Sequence, residues 1–224
     1  METGEWGIVA LTLAGVLFLI LRKRLLKPNA ILIGLGTGIY TAYLGGLPSF
    51  FAIILFFLMG EFVTRRIRDQ RTKKPHEVRS TINIVGNIGP ALIGLTLNPV
   101  MFSVMFFASL SAAFADTLSS EIGVLSKTKP LRITTLKTAE PGEDGAVSLL
   151  GFGGAFIGSL AFGSLAFVIT QDIYWGLVIL VAGMAGTVLD SFIGATLQKG
   201  RWFDNNATNF FSSLIIGIVF ALLF

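Results

Sequence analysis

Two short stretches put carboxylates where carboxylates are costly. Residues 115–123, ADTLSSEIG, close an apolar run and bring Asp116 and Glu121 to its end. Residues 189–198, LDSFIGATLQ, do the same with Asp190. A charged side chain inside a membrane span costs about 3 kcal/mol at its centre, so such groups are kept for a task. Asp116 lies 17 residues past Pro99 and Asp190 lies 17 residues past Ile173, about 25 Å down a helix in each case. The two therefore reach one depth if their runs point the same way.

Other polar residues gather at that depth. Ser119 and Ser120 share a helical face with Asp116, and Asp190, Gly194 and Gln198 form an i, i+4, i+8 stripe. Arg79, Asn83 and Asn87, in EVRSTINIVGNIGP, form a second stripe at the start of another run, and Asn209 enters the last run nearby. Glu121 is five residues from Asp116 and converges with it only at a helix end or break. Glu61 is a further ionisable residue within an apolar run. Carboxylates beside bases suit a Mg²⁺–nucleotide site: the acids hold the hydrated metal, and Arg and Lys neutralise phosphate. Asp116 and Asp190 are expected as metal ligands or as the groups just behind them, with Glu121 as a third acid at the metal, and the three as the catalytic carboxylates. Arg79, Asn83, Asn87, Ser119, Ser120 and Gln198 fall to nucleotide and phosphate binding. The competing use of such groups is polar bonding between helices.

Segment 123–145, GVLSKTKPLRITTLKTAEPGEDG, is too long for a mere connector. It reads either as a solvated hairpin that carries topological charge or as an anion-binding lid, for which Lys127, Arg132, Thr134, Thr135 and Lys137 offer ammonium, guanidinium and hydroxyl donors. His76 lies in the other long loop. No GxxxxGK[ST] loop, GxSxG elbow or His/Cys metal pattern is present, which argues against a P-loop enzyme and a nucleophile-elbow hydrolase. The Gly-rich GFGGAFIG at 151–158 follows no strand and reads as helix packing. With no cysteine, disulfides and thiolate chemistry are excluded.

The elements that must position these groups are membrane helices. Of 224 residues, 53% are hydrophobic and 13% charged, half the charge of an ordinary soluble domain. Continuous apolar runs rather than ten-residue alternation favour an all-α, polytopic transmembrane bundle over a barrel. Eight spans are expected, near 3–21, 29–47, 48–64, 80–97, 99–122, 146–170, 172–198 and 205–224, as a single domain over 1–224. The first run follows acidic residues and reads as a retained span rather than a cleaved signal. All 17 Lys and Arg fall between spans one and two, three and four, five and six, or seven and eight. By the positive-inside rule these segments, including loops at about 65–79 and 123–145, are cytoplasmic and both termini are external. The polar cluster then sits at the cytoplasmic face. The same rule accounts for the net charge of +4 without nucleic acid.

Four stretches, KKPHEVRSTINIVGN, ADTLSSEIGVLS, ITTLKTAEPGEDGAVSLLG and LDSFIGATLQ, occur in this order. Together they resemble the integral-membrane family that includes plant phytyl-phosphate kinase and human transmembrane protein 19. The resemblance covers residues 70 to 215, and the family is more distantly similar to CTP-using polyprenol kinases and to membrane cytidylyltransferases. It implies phosphoryl transfer from a nucleotide, CTP by that likeness, to an isoprenoid monophosphate of phytyl or geranylgeranyl type, giving the diphosphate. It implies a core of Asp116, Ser119, Ser120, Glu121 and Asp190, with Asn83 and Asn87 beside it. The chain departs from the family in reading NIVGNIG where NVLANG is usual, keeping the second Asn. A CDP-lipid-forming cytidylyltransferase, an anionic-lipid transporter or flippase, and a structural protein are the alternatives. Neither oligomeric state nor prenyl chain length is read from the sequence.

Overall fold

A 44-residue helix is more than twice what a bilayer needs, yet α2 runs Pro28–Arg71. It is broken within: Gly46 takes φ 67° and ψ −167°, and Pro48 follows. A side chain at Gly38 would meet the Phe50 ring at 3.5 Å. Twelve residues of straight helix would hold those positions about 18 Å apart, so α2 folds back as a helical hairpin. Its turn is the GGLPS stretch, with the break at Gly46 rather than between 47 and 48.

The computed structural model describes residues 2–71, 78–198 and 203–224, with backbone alone for 68–71. His76 lies outside the described residues. The other helices are α1 (Thr3–Lys23), α3 (Thr81–Leu97), α4 (Val104–Gly123), α5 (Leu149–Thr170), α6 (Ile173–Ile193), which continues as a π-helical turn over Gly194–Gln198, and α7 (Asn205–Leu223). The fold is that of an all-α membrane protein. By length and composition α1, α2, α5, α6 with its π turn, and α7 are suited to cross a membrane, and α3 is a shorter apolar helix of 17 residues. The expected run 99–122 starts its helix later, at Val104, where the Ser103 side chain caps by accepting from Phe106 N at 3.4 Å.

The bundle is built around α4. Every residue from Met105 to Ala115 is buried, as expected of a helix apolar on all sides. α3, α5, α6 and α7 surround it. Phe114 packs between Phe56 and Phe162, with ring centroids at 5.5 and 5.2 Å. Ser111 donates to the Ile179 carbonyl of α6 at 3.0 Å. Outside, large apolar side chains such as Leu11, Leu32 and Leu222 are exposed, the reverse of a soluble protein and as a lipid-facing surface requires. The α4–α6 crossing is very close: a Cβ on Gly186 would abut Ala112 Cβ and lie 2.8 Å from Ala112 Cα. One turn further along these two helices stand Asp190 and Asp116.

The segment between α4 and α5 is a two-stranded antiparallel ribbon, β1 (Leu131–Arg132) and β2 (Ala146–Val147), with Leu131 opposite Val147. It is clamped by Ile133 N to Gly145 O at 3.0 Å and by an ion pair between Arg132 and Glu143. Gly145, at φ 73°, rests where α6 passes into its π turn, and a side chain there would meet Ala195 Cα and Ser191 O, each at 2.7 Å.

Candidate functional site

Where the ends of the helices meet the ribbon, a cavity of about 550 Å³ opens. α4 supplies Asp116, Ser119, Ser120 and Glu121, and α6 with its π turn supplies Asp190, Ser191, Gly194 and Gln198. Asn83 and Asn87 come from the start of α3, Asn205, Asn206 and Asn209 from the start of α7, and Ser148 and Gly151 from the start of α5. Arg79 and Thr64 close one side, and Pro141 to Val147 of the ribbon another. Three helix N-termini thus border the cavity, each a favourable location for negative charge.

Asp190 is held firmly. It is 9% exposed and accepts a hydrogen bond from Ser212 Oγ at 2.9 Å. Asn209 Nδ2 donates to Asn87 Oδ1 at 3.1 Å; with its amide turned over, its nitrogen reaches Asp190 Oδ2 at 3.2 Å instead. Asn83 donates to Asn206 Oδ1 at 2.9 Å and accepts from Ser80 N and Ser80 Oγ. The asparagines therefore line the cavity and also knit α3 to α7. Gln198 accepts from Thr208 Oγ1 at 3.3 Å.

Asp116 is half-buried, and no hydrogen bond or ion pair engages it among the described residues. Its charged neighbour is Asp190. Two carboxylates that repel across one cavity suit a shared divalent cation. The lining carries Asp116, Glu121, Glu143, Asp144 and Asp190 against Arg79, the one base among its described residues. A polyphosphate meets repulsion there unless cations accompany it. Among the described residues no three His, Cys, Asp or Glu side chains stand close enough to hold a metal by themselves. Glu121 lines the cavity but does not close a ligand triad with the two aspartates. Mg²⁺ needs no such triad, since it is commonly held by one or two carboxylates, water and substrate phosphate. The hard-oxygen donors of Asp116 and Asp190 fit that pattern.

The loop donors expected at the site do not line it. Lys127, Thr134, Thr135 and Lys137 are exposed, and Arg132 is paired with Glu143. The loop faces the cavity with Ser126, Thr128 and the PGEDG turn instead. Sequence reasoning also passed over Thr64, Asn205, Asn206, Ser191 and Ser212. The adjacent amides in DNNATN, at the start of an apolar run, were the available signal for two of them.

A family model described as integral membrane protein DUF92 matches residues 11–217. An uncharacterized membrane protein of Methanocaldococcus jannaschii is 29% identical across the whole of this chain and 97% of its own length. An uncharacterized membrane protein of Synechocystis is 28% identical over 73% of this chain and 69% of its own. Protein PGR of Arabidopsis thaliana is 35% identical over 95 residues, 37% of this chain and 33% of that one. No solved structure matches.

Proposed function

The chain belongs to the DUF92 family of integral membrane proteins, and from that premise we propose that it is a membrane lipid kinase moving a phosphoryl group from a nucleotide, CTP in our reading, to an isoprenoid monophosphate. The observation that carries the reading is the pairing of Asp116 with Asp190 in a polar cavity at one end of an apolar bundle, beside Arg79. Such a site lets a soluble nucleotide and a lipid phosphate meet in one plane. By the charge pattern that plane is the cytoplasmic face.

In the reaction an oxygen of the lipid phosphate attacks the terminal phosphorus of the nucleotide. The bond from that phosphorus to the bridging oxygen breaks, and the nucleoside diphosphate leaves with the electron pair. The acceptor dianion carries no proton on its attacking oxygen, so a strong general base is unnecessary, and catalysis rests on positioning and charge neutralisation. Asp116 and Asp190 would hold Mg²⁺, whose charge offsets that of the transferring group. Ser212 keeps Asp190 oriented, and the Asn209 amide adds to this when turned toward it. Arg79 binds phosphate oxygen, and the hydroxyls of Ser119 and Ser120 offer further donors. The ribbon turn at Pro141–Gly145 forms one wall of the cavity. The prenyl tail remains among the apolar outer faces of the helices.

The test is incubation of the purified protein with Mg²⁺, each nucleoside triphosphate in turn and a panel of prenyl monophosphates, read by mass spectrometry. Prenyl diphosphate formed with CTP supports the reading. Release of pyrophosphate with a CDP-lipid assigns a cytidylyltransferase instead. Lipid movement across proteoliposomes in the absence of nucleotide assigns a transporter.

A further inference from the structure

Glu61 is buried to 3% exposure on the second arm of α2, outside the cavity, and the proposed reaction does not use it. It sits between two arginines. Arg65, one turn on, donates from Nε to Glu61 Oε1 at 2.6 Å. Arg79, in the segment before α3, places Nε 3.3 Å from Glu61 Oε2. The same Arg79 reaches Thr64 Oγ1 with Nη2 at 3.5 Å, and both residues line the cavity. Its backbone is fixed as well, since its carbonyl accepts from Lys27 N at 3.0 Å. Space is kept for it: a Cβ on Gly60 would lie 3.3 Å from Arg79 Nη2. Arg65 turns the other way and caps the Lys23 carbonyl at the end of α1 at 2.9 Å.

From this geometry we infer that Glu61 is a positioning residue, which holds the Arg79 guanidinium at the cavity wall to receive a phosphate group. An arginine in an acid-lined cavity would otherwise swing to the nearest carboxylate, because its long side chain is free to rotate and the attraction is strong at low dielectric. The buried Glu61 carboxylate lies 3.3 Å from the guanidinium Nε and holds that end of the side chain by charge. Arg65 shares the same acid for a different purpose, tying α2 to α1. The inference rests on the reading of this cavity as a phosphate site but does not require the acceptor to be a lipid.

The experiment measures binding of magnesium pyrophosphate to detergent-purified protein by calorimetry, with prenyl-phosphate kinase turnover followed in parallel. A charge-assisted contact corresponds to roughly tenfold or more in affinity. Glu61→Gln and Arg79→Gln should each weaken pyrophosphate binding by about that factor, and the double variant should bind no more weakly than Arg79→Gln alone, because the acid acts through the arginine. Arg65→Gln should lower thermal stability while leaving pyrophosphate affinity within about twofold. Should Glu61→Gln fail to fold, Gly60→Ala decides. It keeps every charge, favours helix, and presses on Arg79 Nη2, so a fall in affinity is expected. The proposal is overturned if wild type does not bind pyrophosphate, if folded Glu61→Gln binds like wild type, if the two losses multiply, if Arg65→Gln loses as much affinity as Glu61→Gln, or if Gly60→Ala has no effect. Coupled loss of binding in a protein without lipid kinase turnover supports this inference and removes the kinase reading. Kinase turnover that is indifferent to Glu61→Gln does the opposite.

Discussion

Gly186→Ala tests whether the α4–α6 crossing sets the spacing of the two aspartates. The perturbation is one methyl group, placed one turn from Asp190 on α6 and against Ala112, itself one turn from Asp116 on α4. The new Cβ would lie 2.8 Å from Ala112 Cα. Nonbonded carbons settle roughly 3.5–4.0 Å apart, so the helices must separate by about 1 Å. Overpacking of this kind costs about 1–3 kcal/mol of stability. The larger effect falls on chemistry, since a misplacement of about 1 Å at reacting groups lowers rate by about a hundredfold. Turnover should fall far more than thermal stability, and Mg²⁺-dependent stabilisation by nucleotide should weaken with it. Ala112→Gly combined with Gly186→Ala relieves the Cβ–Cβ clash and should recover part of the loss. A folded Gly186→Ala protein with full turnover, or a double variant no better than the single, would refute the link between this crossing and the carboxylate pair.

Three further outcomes are expected. Asp116→Asn and Asp190→Asn, recovered folded in membranes, should each lose at least about a hundredfold in turnover and lose nucleotide-dependent stabilisation by Mg²⁺, read by thermal shift. Ser212→Ala removes the 2.9 Å hydrogen bond to Asp190 and should cost about 2 kcal/mol of stability, with a smaller loss of turnover than Asp190→Asn. Lys127→Ala and Lys137→Ala, at exposed loop residues that do not themselves line the cavity, should keep turnover within about threefold at physiological salt, with any deficit larger at low ionic strength.

Much of the helical framework was legible because lipid imposes a simple code. Apolar runs marked the helices, and GGLPS marked the reversal that Gly46 executes. Equal depth along parallel runs brought Asp116 and Asp190 to one cavity, because a helix converts residue count into distance. The segment 123–145 was harder. Its bases and hydroxyls advertised an anion site, yet ribbon register decides which strand faces inward. Pairing of Leu131 with Val147 leaves Thr134, Thr135 and Lys137 outside and turns the PGEDG stretch to the cavity. Two-residue strands carry no periodicity from which that register could be read. Glu61 was visible as an intramembrane acid, but its partners Arg65 and Arg79 are 4 and 18 positions away in sequence, and only the packing of α2 beside the start of α3 brings the second to it. Ser212 was missed because a serine in an apolar helix looks the same whether it caps its own backbone or holds a carboxylate on a neighbouring helix.

The most direct measurement of the central claim follows the terminal phosphate. Purified protein is given Mg²⁺, CTP labelled at the γ-phosphate and a prenyl monophosphate. The account predicts that label appears in the prenyl diphosphate, at its outer phosphorus, with CDP formed in equal amount and both products lost on chelation of the metal. Label released as pyrophosphate, or retained in CTP with every prenyl phosphate and nucleotide supplied, would contradict it.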